Sequence, residues 1–173
     1  DLAEIGAMLG SDVAFFCHGP SSVCTGRGQI VRPIARPTPP WVVLILPSIS
    51  VPTGPVYRRF DELLSEQDRR QLAEVVASEP DWNEWKTLSA ELLLPRLIND
   101  LERPAYDLYP ALAKCRAEVE QMIGRIVRMS GSGSSLFTLY DDEAGAQRAA
   151  ETLNGVRRPD DISLRALAVP LAV

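Results

Sequence analysis

A handful of side chains in this sequence could do chemistry, and they stand far apart along the chain. Asp12 lies between Gly10-Ser11 and the apolar run Val13-Ala14-Phe15-Phe16-Cys17, where a turn meets a short buried strand. A carboxylate fixed at a strand mouth can take a proton from a substrate hydroxyl, or orient that hydroxyl for phosphoryl transfer. The plainer alternative is a turn cap or a solvated charge. Tyr57, among Arg58, Arg59 and Phe60, offers either a stacking platform for a flat ring or an aromatic on the core face of a helix. Asp100 and Glu102, beside Pro104, look like a paired-carboxylate site, but a helix-terminating turn is the simpler account. His18 is the sole histidine and has no partner at ligand spacing, so it receives no metal or nucleophile role. Cys17 and Cys115 sit in apolar patterns and read as core.

One stretch combines several of these capacities: Arg128-Met129-Ser130-Gly131-Ser132-Gly133-Ser134-Ser135-Leu136-Phe137. Glycines at 131 and 133 can take positive φ and let a ligand approach the backbone, while the serines add hydroxyl donors. Successive N–H groups in such a loop can form an anion-binding concavity. An ordinary hairpin loop has the same composition.

The elements that must position these groups follow from periodicity and punctuation. Leu2–Leu9 reads as the end of an amphipathic helix stopped by Gly10, and Val13–Cys17 as a strand. Val23–Thr25 and Gln29–Ile34 are short strands around the turn Gly26-Arg27-Gly28. Pro33, Pro37, Pro39 and Pro40 make a stiff connector and the best boundary in the sequence. Trp41–Leu46 is continuously apolar, which predicts a central strand covered on both faces. Val51–Pro55 reads as an extended loop, Tyr57–Leu64 and Glu66–Ala77 as helices, and Glu79–Lys86 as a polar, Trp-bearing excursion. Leu88–Leu101 and Leu108–Ile123 are expected to be helical, with Pro104 breaking the chain between them. Leu112, Cys115, Val119, Met122 and Ile123 carry the three-and-four spacing of a buried stripe. After the Gly/Ser hairpin, Ala146, Ala149, Ala150 and Leu153 line a helix, and Leu164–Leu171 is a last strand. From Trp41 on, this order describes an α+β fold, an antiparallel sheet with helices on one face, of ferredoxin-like type.

Composition narrows the function classes. With 173 residues, 46% of them apolar, the chain can bury a sizeable core in one domain or slightly more. A net charge of −5 argues against nucleic acid or an anionic membrane surface as partner. Three cysteines without a C-x-x-C spacing suit a reduced, cytoplasmic setting. The chain opens at Asp1 directly in helix-like sequence, which suggests a piece of something longer.

Five stretches occur together, in order, in one known family. They are Leu9-Gly10-Ser11-Asp12-Val13-Ala14-Phe15-Phe16, Gly26-Arg27-Gly28-Gln29, Pro52-Thr53-Gly54-Pro55-Val56-Tyr57, Asn99-Asp100-Leu101-Glu102 and Met129-Ser130-Gly131-Ser132-Gly133-Ser134. On these the chain resembles the 4-diphosphocytidyl-2-C-methyl-D-erythritol kinase family of the GHMP kinase superfamily, from Asp1 to about Glu151. Ala14 stands where that family usually has proline, and Gln29 where it usually has glutamate.

The resemblance implies residues 1–36 as the trailing part of an ATP-binding domain and 41–173 as the GHMP carboxy-terminal domain. It implies transfer of the γ-phosphoryl group of ATP, with magnesium, to the tertiary hydroxyl of a cytidine-diphosphate-linked methylerythritol. Asp12 would then activate or orient the hydroxyl, Tyr57 would stack on cytosine, and Pro52 and Thr53 would shape the adjoining wall. Ser130, Gly131, Ser132, Gly133 and Ser134 would brace the main phosphate loop. The family's amino-terminal lysine and that glycine-rich phosphate loop have no counterpart in these residues. The chain by itself is therefore expected not to turn over, and its first segment, short of packing partners, is expected to be poorly ordered, to self-associate with another copy, or to pack onto the second domain in a way unlike the family's. A second reading is a non-catalytic α+β binding module that kept the fold and lost the chemistry.

Overall fold

Trp41–Pro47 is the strand on which most of the described chain is assembled. Its apolar residues alternate between fully buried (Val43, Ile45) and half-buried (Val42, Leu44), so one face lies on the core and the other is only partly covered, in place of the cover on both faces that the continuous apolar run suggests. The computed structural model describes residues 5, 6, 8, 10, 13–18, 21–26, 28–65, 67, 79–156 and 162–171. In chain order these form β1 (Ser22–Thr25), β2 (Ile30–Pro33), β3 (Trp41–Pro47), α1 (Thr53–Leu63), α2 (Trp82–Trp85), α3 (Ala90–Leu93) and α4 (Glu102–Leu108). There follow α5 (Pro110–Ile123), β4 (Arg128–Met129), β5 (Leu136–Tyr140), α6 (Glu143–Asn154) and β6 (Leu164–Pro170).

The chain divides into two units, one of residues 1–38, 80–88 and 171–173, the other of 39–79 and 89–170. In the first, β1 and β2 pair antiparallel with Val23 opposite Arg32. The run expected to be a buried strand, Val13–Cys17, is instead a 3-10 turn over Ala14–Cys17. The N–H groups of Phe16 and His18 donate to the carbonyls of Val13 and Phe15, so the backbone is satisfied locally rather than by a neighbouring strand. Phe16 is 80% exposed and Cys17 is exposed, so neither is core. In α2, Asp81 caps the helix by accepting from the N–H groups of Asn83 and Glu84.

The second unit is a four-stranded antiparallel sheet in the order β4-β5-β3-β6, the arrangement of a ferredoxin-like α+β fold. Ile45 stands opposite Leu136 on one side and Ala166 on the other. On this face they meet Val56 of α1, Ala105 of α4, Leu112, Cys115 and Val119 of α5, and Ala146, Ala150 and Leu153 of α6. The expected stripes of α5 and α6 are thus core. Burying a side chain the size of Leu112, Leu136 or Leu153 contributes about 2 kcal/mol each. Asp142 caps α6 through the N–H of Gly145, and Asp141 accepts from the N–H of Ala90 at 2.9 Å, which ties α3 to the end of β5.

Three boundaries differ from the sequence reading. The stretch Val51–Pro55 is not wholly extended: α1 begins at Thr53, because proline at 55 falls in a first turn, where its missing N–H has no intrahelical partner to lose. The helix expected over 88–101 is one turn, Ala90–Leu93, followed by a 3-10 turn over Leu94–Arg96 carrying Pro95 and then by an open segment. Pro104 begins a helix instead of breaking one, since it lies in the first turn of α4, and Pro110 likewise opens α5. The helix expected over Glu66–Ala77 lies outside the described residues.

Candidate functional site

The hairpin between β4 and β5 forms one wall of the site, and its shape is set by contacts the sequence states only indirectly. Gly131 has φ +56° and Gly133 φ +90°, so both glycines adopt the positive-φ backbone expected of them. A Cβ at 133 would stand 3.0 Å from Met129 Sδ and 3.3 Å from Leu112 Cδ2, so absence of a side chain there is a packing requirement as well. Within the loop the N–H of Ser130 donates to the carbonyl of Ser135 at 2.9 Å, and that of Gly133 to Ser130 at 3.1 Å. Two amides that an anion nest would use are therefore engaged already. The loop adds the hydroxyls of its four serines.

The stretch Asn99–Glu102 holds this hairpin from the side. Asn99 Nδ2 donates to the carbonyls of Met129 at 2.9 Å and Gly131 at 2.8 Å, while its Oδ1 accepts from the N–H of Leu101. Glu102 Oε1 accepts from the N–H of Met129 at 2.8 Å, and its other oxygen lies 3.5 Å from Arg128. Arg128 in turn donates to the carbonyls of Leu94 and Pro95. The reading of Asp100 and Glu102 as a catalytic pair gives way to this: Glu102 is committed to the β4 backbone and to Arg128, and Asp100 is exposed. A cleft of about 320 Å³ opens between Leu97–Asn99 and the entry of the loop, with Arg128 and Phe137 on its wall.

The second wall is the start of α1. Thr53 Oγ1 and Ser132 Oγ are hydrogen-bonded at 3.0 Å, which joins the first turn of α1 to the tip of the Gly/Ser loop. Pro52 is the N-cap and no side chain caps this helix, so the amides of its first turn and the positive end of its dipole are left toward that junction. Tyr57 follows one turn after Thr53 and is 52% exposed, while its neighbour Val56 takes the core position. Behind it Arg59 donates to Asp107 at 3.1 Å and to Glu62 at 3.3 Å. The Asp107 hydrogen bond, then that of Glu62, raises the Arg59 pKa. The arginine thus fixes α1 to α4.

The structure therefore brings Pro52, Thr53 and Tyr57 together with Ser130–Ser134, as one surface of hydroxyls, an uncapped helix start and an exposed aromatic ring. Such a surface can lie along an anionic, ring-bearing ligand. Its residues supply hydroxyls but no carboxylate or imidazole that could act as a general base. Asp12, expected to supply that chemistry, lies outside the described residues. His18 is exposed. Among the described residues no three His, Cys, Asp or Glu side chains converge where a metal ion could be held, and no helix is long and apolar enough to cross a membrane. The holding roles of Asn99, Glu102 and Arg128 have one signal in the sequence, the carboxamide and carboxylate of Asn99-Asp100-Leu101-Glu102, whose partners are backbone groups some thirty positions later.

Comparison with known proteins bears on what this surface is for. A model of the carboxy-terminal domain of GHMP kinases matches residues 58–156. The 4-diphosphocytidyl-2-C-methyl-D-erythritol kinase of Cereibacter sphaeroides is 40% identical over 156 residues, which cover 88% of this chain and 53% of that protein. The protein of the same description from Shouchella clausii is 34% identical over 155 residues, 90% of this chain and 50% of the relative. The chain thus spans about half the length of the curated relatives it matches. A crystal structure of 4-(cytidine 5'-diphospho)-2C-methyl-D-erythritol kinase superposes on all of this chain and 57% of its own, with a TM-score of 0.68 and 31% identity. Homoserine kinase from Cytophaga hutchinsonii, at 16% identity and a TM-score of 0.57, shares the fold.

Proposed function

The chain belongs to the GHMP kinase carboxy-terminal family, and from that premise we propose that it is the acceptor-binding part of a cytoplasmic, ATP-dependent kinase of isoprenoid precursor synthesis. The acceptor is 4-diphosphocytidyl-2-C-methyl-D-erythritol, whose tertiary hydroxyl receives the γ-phosphoryl group. The observation that carries this reading is the Thr53–Ser132 hydrogen bond, which sets the helix bearing Tyr57 directly against the Gly/Ser loop. Tyr57 offers its exposed face to the cytosine ring, and Pro52 and Thr53 form the wall beside it. Ser130–Ser134 contributes hydroxyls and shape on the phosphate side. Its Ser130 and Gly133 amides are engaged within the loop, which suits a brace better than a cradle. Asp12 takes the role of orienting the acceptor hydroxyl, the positioning on which phosphoryl transfer mainly depends.

ATP with magnesium supplies the phosphoryl group and its charge neutralisation in such kinases. The described residues suit a flank of the nucleotide phosphates, through the Ser132 hydroxyl and the uncapped start of α1, and offer no metal-ligand cluster. Because the family's phosphate loop and amino-terminal lysine have no counterpart in these residues, the 173-residue chain alone is expected to give no ATP-dependent phosphorylation of the acceptor. Its exposed Phe16 and Ile30 favour self-association of the first unit, which sedimentation of Phe16→Asp against the parent chain would read as a loss of the larger species.

The functional reading is tested by titrating the isotopically labelled chain with cytidine 5'-diphosphate. Resonances of Tyr57, Thr53 and the Ser130–Ser134 loop should shift together, and adenosine 5'-diphosphate should leave Tyr57 in place. Cytidine 5'-diphosphate that moves none of these signals would remove the basis for an acceptor site here.

A further inference from the structure

β4 is an edge strand, yet its outward backbone is not open. Residues 128 and 130 face β5, so 127, 129 and 131 face away from it. The N–H of Val127 donates to Glu120 at 2.9 Å, and its carbonyl accepts from Arg116 at 3.5 Å. The N–H of Met129 donates to Glu102, and the carbonyls of Met129 and Gly131 both accept from Asn99. Four side chains from the turn before α4, from α4 and from α5 thus stand where a fifth strand would stand. They satisfy the edge that otherwise invites pairing with another chain.

Asn99 is the last rung of this side-chain ladder and the one that reaches into the loop. Both protons of its amide are engaged, on carbonyls two residues apart, and its oxygen is held by the N–H of Leu101. No other orientation of the carboxamide gives donors to both carbonyls. Fixing Gly131 fixes the approach to Ser132, and Ser132 is bonded to Thr53, one helical turn before Tyr57.

We propose that Asn99 is a positioning residue that acts through Gly131, Ser132 and Thr53 on Tyr57, so that the phosphate-side loop and the ring-stacking helix are set as one unit. Its functional meaning rests on the reading proposed above, whereas the coupling itself is a property of the unliganded chain. Aspartate at 99 would place a carboxylate oxygen against two carbonyl oxygens in place of two hydrogen bonds, which drives the loop from its seat.

The test compares amide spectra of the ligand-free chain and its variants Asn99→Asp, Ser132→Ala, Thr53→Val and the double variant Asn99→Asp/Ser132→Ala. Asn99→Asp should displace the signals of residues 130–134 and also those of 53–57, with β3 unchanged. In the Ser132→Ala background the same substitution should still displace the loop but no longer reach 53–57. Thr53→Val, an exposed change that leaves the core alone, should displace the loop in the reverse direction of the chain, and Asn99→Ala, which removes both donations without adding a charge, takes the place of Asn99→Asp if that variant does not fold. A loop unmoved by Asn99→Asp overturns the proposal. So does a Tyr57 shift that survives loss of the Ser132 hydroxyl, or a loop indifferent to Thr53→Val. No nucleotide is present in any arm, so a chain that fails to bind cytidine 5'-diphosphate can still show this coupling, and the converse.

Discussion

Replacing Gly133 by alanine separates two reasons for a glycine, because Gly131 offers an internal control. At 131 the backbone has φ +56° and an added Cβ meets nothing within 4 Å, so Gly131→Ala carries the conformational cost alone, about 1 kcal/mol. At 133 φ is +90°, farther from the left-handed well that alanine tolerates, and the added carbon meets Met129 Sδ at 3.0 Å and Leu112 Cδ2 at 3.3 Å. Neither neighbour can swing aside freely: Met129 is 1% exposed and Leu112 fully buried in the core. Crowding of a packed core costs about 1–3 kcal/mol, which with the backbone cost puts Gly133→Ala at about 2–4 kcal/mol. Amide exchange in β3 under native conditions reads the stability of the second unit, since central strands open last. The expected order is Gly133→Ala well below Gly131→Ala, itself slightly below the parent. Equal losses for the two variants would show that the Met129–Leu112 contact does not govern position 133.

Other groups near the hairpin give sharper contrasts. The Tyr106 hydroxyl is buried with no partner among the described residues, beneath the Arg116 guanidinium, which lies 5.5 Å from its ring centre. Tyr106→Phe keeps the ring and removes the unsatisfied group, so the urea midpoint should rise, by about 1 kcal/mol in stability. Burial, and secondarily Glu102, pushes the Tyr106 phenol well above its ordinary range, and burial raises Tyr140 as well. Because these pKa values are higher folded than unfolded, stability is complete below about pH 10 and falls as pH rises beyond it; the alkaline loss should be smaller in Tyr106→Phe. Glu102→Ala strands the buried N–H of Met129 and removes the ion pair of Arg128, at a cost of about 2 kcal/mol in urea unfolding, while Glu102→Gln keeps an acceptor and should cost about half as much. A Glu102→Ala midpoint equal to the parent's would mean that water serves the β4 edge as well as the carboxylate does.

What could be read from the sequence was whatever local pattern decides. The stripe Leu112–Cys115–Val119 on α5 and the alanines of α6 report burial through their own periodicity, the continuous apolar run of β3 reports a central strand but not that one of its faces is only half covered, and the fold follows from their order. The positive-φ glycines of the hairpin were legible for the same reason. Proline was misread where its effect depends on position: Pro55 and Pro104 sit in first turns, where a missing N–H costs nothing, not in interiors where it would break a helix. Val13–Cys17 has strand composition but closes its own hydrogen bonds in a 3-10 turn. The holding of β4 by Asn99, Glu102, Arg116 and Glu120 could not be seen, because which side of a strand is an unpaired edge is a property of sheet order. The Thr53–Ser132 bond spans residues 79 positions apart and appears in no local pattern.

The central claim, that the α1 start and the Gly/Ser hairpin form the acceptor surface of a diphosphocytidyl-methylerythritol kinase, is tested most directly by calorimetry with 4-diphosphocytidyl-2-C-methyl-D-erythritol itself. Stacking of a base on an aromatic side chain contributes about 1–3 kcal/mol, so the parent chain should bind and Tyr57→Ala should bind roughly tenfold or more weakly, with Tyr57→Phe close to the parent. Equal affinity for the parent and Tyr57→Ala, or no heat of binding from the parent, would contradict the account.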